Sequence, residues 1–319
     1  MMRSPQALAV AVRLPDGSVV LKDEPYRSVG ERYPIFKRPL LRGPVMLIES
    51  LITGIQALTF SAQALVEEEN SQEHEGEEGK KKEPEKLGWV SLTLTMAGAF
   101  GLAFLFFGFL PHWLSGLVGL VVGITLTPAH FSFHVIDGII KVFFLLLYIW
   151  GISWLKEIRR VFQYHGAEHK SICAYEAGEP LDLDHVRRHC TCHPRCGTSF
   201  LLVVVLVSIL IFTVFFPLFP ALTRSGVLNA LVQTSVKVGL MFPIAAVSYE
   251  IIRWGGRQPD HPLAQVLLWP GLFTQRLTAL EPDDSQIEVA LAALNAVLNR
   301  EKQGQGANPL AALDNAQTG

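Results

Sequence analysis

The chain has 319 residues, of which 50% are hydrophobic and only 18% are charged, with a formal net charge of −2 and a mean hydropathy of +0.31. Soluble domains carry about a quarter charged residues, and the apolar residues here are concentrated in runs of roughly 18 to 25, the length of a membrane-spanning helix. These features exclude an ordinary cytosolic enzyme and a secreted disulfide scaffold. The lack of a global basic field excludes a nucleic-acid binder. We predict a predominantly α-helical, multi-pass membrane protein.

Residues 1–42 are polar and rich in turn-forming residues. Two short apolar runs lie on either side of Pro15-Asp16-Gly17, a pattern that predicts a β-hairpin. Eight Lys or Arg also lie in this region. The positive-inside rule therefore places the N-terminal region in the cytoplasm.

The next two segments are predicted to lie outside the membrane core. Residues 43–66 are apolar but are interrupted by Glu49 and Gln56, which predicts an amphipathic, membrane-associated helix and not a full span. Residues 67–86 hold nine Glu and four Lys. This composition is typical of an acidic disordered linker.

Residues 87–280 form the predicted membrane domain. The run 113–127 is short and ends at Pro128, so we expect it to dip into the membrane without crossing it. The run 261–280 is interrupted by prolines and is predicted to be re-entrant or interfacial. About four transmembrane helices remain, at 87–110, 138–155, 199–220 and 226–252.

A helix and a tail are predicted beyond the membrane domain. An apolar stripe of helical period runs through 281–302, behind the N-cap candidates Asp283, Asp284 and Ser285. This pattern predicts a cytoplasmic amphipathic helix. Residues 303–319 are predicted to form a disordered tail.

The distribution of positive charge predicts the orientation of the chain. No Lys or Arg lies between Leu87 and Ile140, whereas the polar insert 156–198 holds seven. Four spans place this insert and both termini in the cytoplasm, whereas a further span at 113–127 would move the basic insert outside. We therefore expect a multi-pass protein of the inner (cytoplasmic) membrane with both termini cytoplasmic.

The polar insert contains a motif typical of zinc enzymes. His165, Glu168 and His169 form H-x-x-E-H, the inverted form of the zinc-protease motif. On a helix, the i, i+4 spacing places both imidazoles on one face, where they can share a metal ion. The glutamate is then available to handle protons.

A Cys/His cluster follows in the same insert, with the sequence His189-Cys190-Thr191-Cys192-His193-Pro194-Arg195-Cys196. Imidazole and thiolate are ligands suited to zinc. A disulfide is disfavoured because a cytoplasmic insert is kept reduced. A closed structural zinc site remains an alternative to a catalytic one.

These motifs resemble those of the YqhQ family, bacterial membrane proteins of largely uncharacterised function that are regarded as metal-dependent enzymes. Family members carry a glycine-rich lead, so we expect the natural chain to begin further upstream. Cys190 and Cys192 are additions to the family pattern, which makes His193 and Cys196 the better ligand candidates. The resemblance extends over nearly the whole chain and is carried by 1–5, 13–17, 160–170, 193–200 and 281–284.

The leading hypothesis is a membrane-embedded zinc-dependent hydrolase. His165 and His169 would bind Zn²⁺ or a similar divalent metal. The third ligand would be His193 or Cys196, with a water in the open position. Glu168 would accept the proton of that water, whose pKa zinc lowers to about 7. The substrate would be a peptide, or an ester or phosphoester at the membrane.

Three further side chains of the insert are secondary candidates. Glu176 is a candidate third ligand, or a carboxylate that orients a ligating histidine. Arg195 and Lys170 are candidates for binding an anionic substrate or for stabilising an oxyanion.

Two hypotheses of other classes stay open. In the first, the zinc site is structural and the protein is a non-catalytic membrane scaffold that organises partner proteins. In the second, the protein is a transporter, because Lys237 and Glu250 lie within a predicted span. Three ionisable residues beside the short apolar run are weaker candidates for a metal or proton role: His130, His134 and Asp137.

Overall fold

The computed structural model of the chain describes residues 1–74, 89–123, 130–218 and 226–306. The described chain is mainly helical and contains one small sheet, as predicted. The strands are β1 (Met2–Arg3), β2 (Ala7–Arg13) and β3 (Val19–Pro25). The helices are α1 (Val29–Arg32), α2 (Arg42–His74), α3 (Trp89–Phe104), α4 (Leu110–Val122), α5 (Phe131–Ile152), α6 (Lys156–Glu176), α7 (Leu183–Val186), α8 (Gly197–Leu218), α9 (Gly226–Arg257), α10 (Pro262–Thr278) and α11 (Asp284–Gly306). A 3-10 turn spans Pro34–Lys37 and a π turn spans Leu105–Phe109.

The predicted linker and tail lie largely outside the described residues. Of the linker 67–86, the structure describes only 67–74, which continue α2. Of the tail 303–319, it describes only 303–306, which form the end of α11.

The predicted N-terminal hairpin is confirmed. β2 and β3 pair in antiparallel register, with Leu8 opposite Glu24 and Arg13 opposite Val19. β1 adds a third strand at the other edge of β2. Gly17 lies in the hairpin turn with a φ of +88°, a backbone conformation that glycine adopts without steric cost.

The sheet, α6, α7 and α11 enclose one hydrophobic core, and we call this assembly the sheet–helix unit. Asp283, one of the predicted N-caps, accepts a hydrogen bond of 2.9 Å from the backbone N–H of Gln286 and so caps α11. The apolar stripe of α11 packs the N-terminal sheet and the polar insert together. The core includes Ala7, Ala9, Ala167, Ala174, Val186, Ile287, Leu291, Leu294 and Val297.

Within the described chain, five helices are long and apolar enough to cross a membrane. The sequence predicts about four, because the polar interruptions within 43–66 favour a surface helix for that segment. The structure therefore supports several membrane-length helices and adds one candidate. The five are Arg42–Glu68, Ala97–Val122, Phe131–Ile152, Gly197–Leu218 and Val232–Arg257.

The second candidate span differs in its boundaries from the sequence prediction. α3, the π turn and α4 follow one another without a break from Trp89 to Val122, whereas the sequence predicts 87–110 and 113–127 as separate segments. Pro111 follows the end of the π turn by two residues. The altered hydrogen bonding of a π turn accommodates a residue that has no backbone N–H to donate. The helix ends at Gly123, which has a φ of +75°.

Helix α8 lies at the centre of the helical bundle and packs against α5, α9 and α10. α10, predicted to be re-entrant or interfacial, is a continuous helix that includes Pro270. A Cβ on Gly271 would lie 2.6 Å from the Ser199 side chain, so this glycine permits α10 to approach the start of α8. The bundle core consists of Val203, Val204, Val207, Ile244, Ile252 and Leu268.

Helix α2 contacts the sheet with one face and exposes the other. Glu49 accepts hydrogen bonds from the Ser28 hydroxyl, at 3.0 Å, and from the backbone N–H of Val29. Gln56 and Phe60 lie against β2 and β3 across a small cavity. Of the two polar interruptions seen in the sequence, Glu49 therefore faces the start of α1 and Gln56 faces the sheet. The opposite face exposes large apolar side chains, namely Ile48, Leu51, Ile52, Ile55 and Leu58.

Candidate metal centre

Helix α6 and the start of α8 bring three potential metal ligands together. His165 and His169 lie one turn apart on α6, with ring centroids 4.4 Å apart. Cys196 directly precedes α8, where its sulfur accepts a hydrogen bond from the backbone N–H of Thr198 at 3.4 Å. One ligand atom from each of the two histidines and the cysteine lies within 4.8 Å of the other two. We call these three residues the His–His–Cys group.

Both histidines are oriented by backbone carbonyls. Nδ1 of His165 lies 2.7 Å from the carbonyl oxygen of Thr278, and Nδ1 of His169 lies 2.5 Å from that of Thr191. A carbonyl only accepts, so each Nδ1 carries a proton, and Nε2 is the nitrogen of each ring that remains for the thiolate or a metal ion. Nε2 of His165 lies 3.2 Å from Sγ of Cys196. Metal-binding histidines are held in this way in proteins.

The surroundings of Cys196 favour its thiolate. Burial acts to raise the pKa of this thiol, but hydrogen bonds with His165 and His169 and their positive charge outweigh burial and lower the pKa to about 5. Cys173 is the contrasting case, because burial raises its pKa to about 11. Thiolates and not thiols ligate metals, so Cys196 is the cysteine prepared for that role.

The approach of α6 to the segment after α10 depends on Gly166. A Cβ at this position would lie 1.9 Å from the carbonyl oxygen of Leu280, which no rearrangement of a side chain could relieve. Lys170, one turn further along α6, is 3% exposed, pairs with Glu281 and donates to the backbone of Arg187 at 2.9 Å. These contacts hold the histidine-bearing face of α6 against the carbonyl that orients His165.

His193 lies beside the His–His–Cys group but is not brought into it. Its ring centroid is 5.8 Å from that of His169, and its Nε2 lies 3.3 Å from Glu176. Arg195 donates to the same Glu176 side chain. Burial lowers the pKa of His193 more than the nearby Glu176 raises it. The structure thus groups three predicted residues, His193, Glu176 and Arg195, into a separate polar cluster.

Two residues of α10 that sequence analysis did not single out support the site. Gln275 is fully buried and bonds both the backbone N–H of His193, at 2.7 Å, and its carbonyl, at 2.8 Å. Thr278 supplies the carbonyl that orients His165. The available signal was a polar stripe of helical spacing, Thr274, Gln275 and Thr278, in the otherwise apolar run 261–280.

These features define a mainly helical protein whose described residues include five helices of membrane-spanning length and a His–His–Cys group. The chain belongs to the family described as "Protein of unknown function (DUF1385)", whose model matches residues 38–300. It is 32% identical over 295 residues to the uncharacterized protein YqhQ of Bacillus subtilis strain 168, a match that covers 91% of this chain and 86% of that relative. The resemblance to the YqhQ family is therefore confirmed. No solved structure matches the chain.

The metal content of the purified full chain tests the His–His–Cys group. Cys196→Ser removes the sulfur donor, so we expect this variant to lose most of its zinc. Cys190→Ser changes an exposed cysteine outside the group and should retain about one zinc per chain. Elemental analysis after dialysis measures both. Equal zinc content in the two variants would show that Cys196 is not a ligand.

Proposed function

We propose that the protein is a membrane hydrolase whose centre holds zinc, or a similar divalent metal, on His165, His169 and Cys196. The main support is the common arrangement of the three donors, because both imidazoles are held through Nδ1 and one ligand atom of each histidine lies with the sulfur in a group within 4.8 Å. Two nitrogens and one sulfur suit zinc. Three protein ligands leave a coordination position for substrate chemistry, as in catalytic zinc sites.

Glu168 is the proposed proton acceptor. When bound, zinc supplies Lewis acidity to an oxygen in the open position. Glu168 is half-buried and directly precedes the proposed ligand His169 on α6. Its negative charge acts to raise the pKa of His165, so its carboxylate is near the proposed site. Among the described residues it has no hydrogen-bond partner. A carboxylate with this freedom can accept a proton and later donate it to a leaving group.

Arg195 is the proposed anion-binding group at the rim of the site. Its side chain is 52% exposed and its charge is shared with Glu176, whereas Lys170 is almost fully buried in its pair with Glu281. Of the two cations singled out in the sequence, Arg195 is the one that a substrate can reach.

The position of the site favours a substrate at the membrane surface. Cys196 directly precedes Gly197–Leu218, one of the five membrane-length helices. The proposed centre therefore lies where the sheet–helix unit meets the bundle. A peptide bond near the membrane, or a lipid-linked ester or phosphoester, is the substrate class that this position supports.

A purely structural zinc site is the competing proposal. Such a site closes its coordination with a fourth protein ligand. One candidate is His193, whose Nε2 lies 3.3 Å from Glu176. Because this nitrogen is directed at a carboxylate outside the His–His–Cys group, the geometry favours an open site.

We further propose that the sheet–helix unit lies in the cytoplasm and that four helices cross the membrane. The N-terminal sheet and α6 share one core, so they lie on the same side, and an even number of crossings must separate them. Three candidate spans lie between them, and α2 is the one that contacts the sheet, at Gln56, Ala57 and Phe60, so we take α2 as the helix that lies on the surface. The positive charge of the N-terminal region and the insert favours the cytoplasm.

The substitution Glu168→Gln tests the catalytic proposal. The side chains are nearly isosteric, so the variant should fold and keep its zinc, but glutamine cannot accept a proton. We expect loss of function by about 10²- to 10⁴-fold, the usual contribution of a general base. Complementation of a strain lacking the protein is the readout, with metal content measured in parallel.

Glu157→Gln, in the first turn of the same helix, is the matched control and should behave as wild type. Full complementation by Glu168→Gln, combined with failure of Cys196→Ser, would contradict the hydrolase and support the scaffold.

Labelling with a membrane-impermeant maleimide tests the topology. Cys190 is exposed in the sheet–helix unit and should react only after the membrane is opened, with Cys190→Ser as the blank. Ser132→Cys, exposed at the opposite end of α5, should react in intact cells. Labelling of Cys190 in intact cells would overturn the cytoplasmic placement.

A further inference from the structure

A second site lies in the helical bundle, far from the His–His–Cys group. A cavity of ≈ 380 Å³ opens between α5, α8 and the π turn. One end is lined by His134, Asp137 and Lys141 of α5. The other end is apolar and includes Leu145 and Val205. We call this space the bundle cavity.

At the polar end of the cavity, only one of the two carboxylate oxygens of Asp137 forms a hydrogen bond. Asp137 is 7% exposed, and its Oδ2 accepts a hydrogen bond of 2.5 Å from Lys141. Its other oxygen, Oδ1, is buried without a hydrogen-bond partner in the described chain. This oxygen lies below the surface of the cavity, so Asp137 contributes its negative charge and its ion pair with Lys141 to the polar end.

The same region holds an excess of positive charge. Nζ of Lys237 on α9 lies 5.3 Å from the ring centroid of Phe216, which stacks on His134. Its charge interacts with those of Lys141 and Asp137. No described carboxylate lies within ion-pair distance of Lys237, so Asp137, Lys141 and Lys237 together sum to +1. Ionisable residues among membrane helices usually mark a ligand or a transport path.

The polar and apolar ends of the bundle cavity follow each other along α5, as the headgroup and the acyl chain do in a membrane lipid. Asp137 lies fifteen residues before Ile152, so it is about 22 Å from the end of α5 next to the sheet–helix unit and about 9 Å from the other end. Leu145, in contrast, lies about 21 Å from that other end and about 10 Å from the end next to the sheet–helix unit. The cavity therefore begins in the half of α5 toward the far membrane surface, and its apolar end lies beyond the middle of the helix, which is near Lys141.

We propose that the bundle cavity binds an anionic lipid from the leaflet opposite the sheet–helix unit. Lys141 and Lys237 contact its phosphate, and the apolar end takes the first part of an acyl chain. This proposal rests on the four-crossing topology proposed above, which the labelling experiment tests separately, and it is independent of zinc and of hydrolysis.

The experiment measures lipid retention by the full chain in detergent, using native mass spectrometry. Phosphatidylglycerol, which carries both a phosphate and hydroxyls, is compared with zwitterionic phosphatidylcholine. The double variant Lys141→Gln, Lys237→Gln should lower retention of phosphatidylglycerol by at least tenfold. Lys156→Gln, at the start of α6, is the matched control and should leave it unchanged.

Two further arms identify the source and the location of the bound anion. Inorganic phosphate at millimolar concentration should not displace phosphatidylglycerol, because it lacks the chain. Leu145→Trp keeps every charge but fills the apolar end, and should also lower retention. The elution volume and the unfolding midpoint of each variant verify that it is folded.

Four results would overturn the proposal. They are equal retention of the two lipids, unchanged retention in the double lysine variant, unchanged retention in Leu145→Trp, and displacement by inorganic phosphate alone. The last of these would identify a free-anion site in place of a lipid site.

Discussion

The core shared by the N-terminal sheet, α6 and α11 is the constraint on which the rest of the structure depends. Ala9, Ala167 and Ile287 pack in one cluster, although they come from the beginning, the middle and the end of the chain. This packing fixes α6 relative to the segment that follows α10. Gly166 then allows the backbone at Leu280 to approach, and the carbonyl of Thr278 can orient His165. In the proposed topology, the same core keeps the sheet and the insert on one side of the membrane.

Local patterns in the sequence predicted the features that depend on nearby residues. The hairpin follows from turn chemistry around Gly17, and the shared face of His165 and His169 follows from the 3.6-residue period of a helix. The apolar stripe of α11 was likewise visible as a periodic pattern. Each of these features depends on residues that are close together in the sequence.

The remaining features depend on contacts between distant segments, which one sequence does not display. Cys196 and not His193 lies with His165 and His169 because of where α8 begins and because His193 pairs with Glu176. The support from Gln275 depends on the packing of α10 against α8. The continuity from Trp89 to Val122 depends on a π turn, which the sequence pattern did not predict.

Helix α8 connects the two proposed sites. Its first turn follows Cys196 in the His–His–Cys group, and Val205 and Phe212 further along line the bundle cavity. The same helix packs against α5, α9 and α10. A ligand at one site therefore contacts the element that positions the other, although each site rests on its own residues.

The central claim is an open metal centre with one sulfur and two imidazole ligands. Zinc K-edge X-ray absorption on the purified full chain tests this claim most directly. The account predicts one sulfur at about 2.3 Å, two imidazole nitrogens at about 2.0–2.1 Å and one further light atom. The sulfur contribution should disappear in Cys196→Ser and persist in Cys190→Ser. Two or more sulfurs, a third imidazole, or no sulfur at all would contradict it.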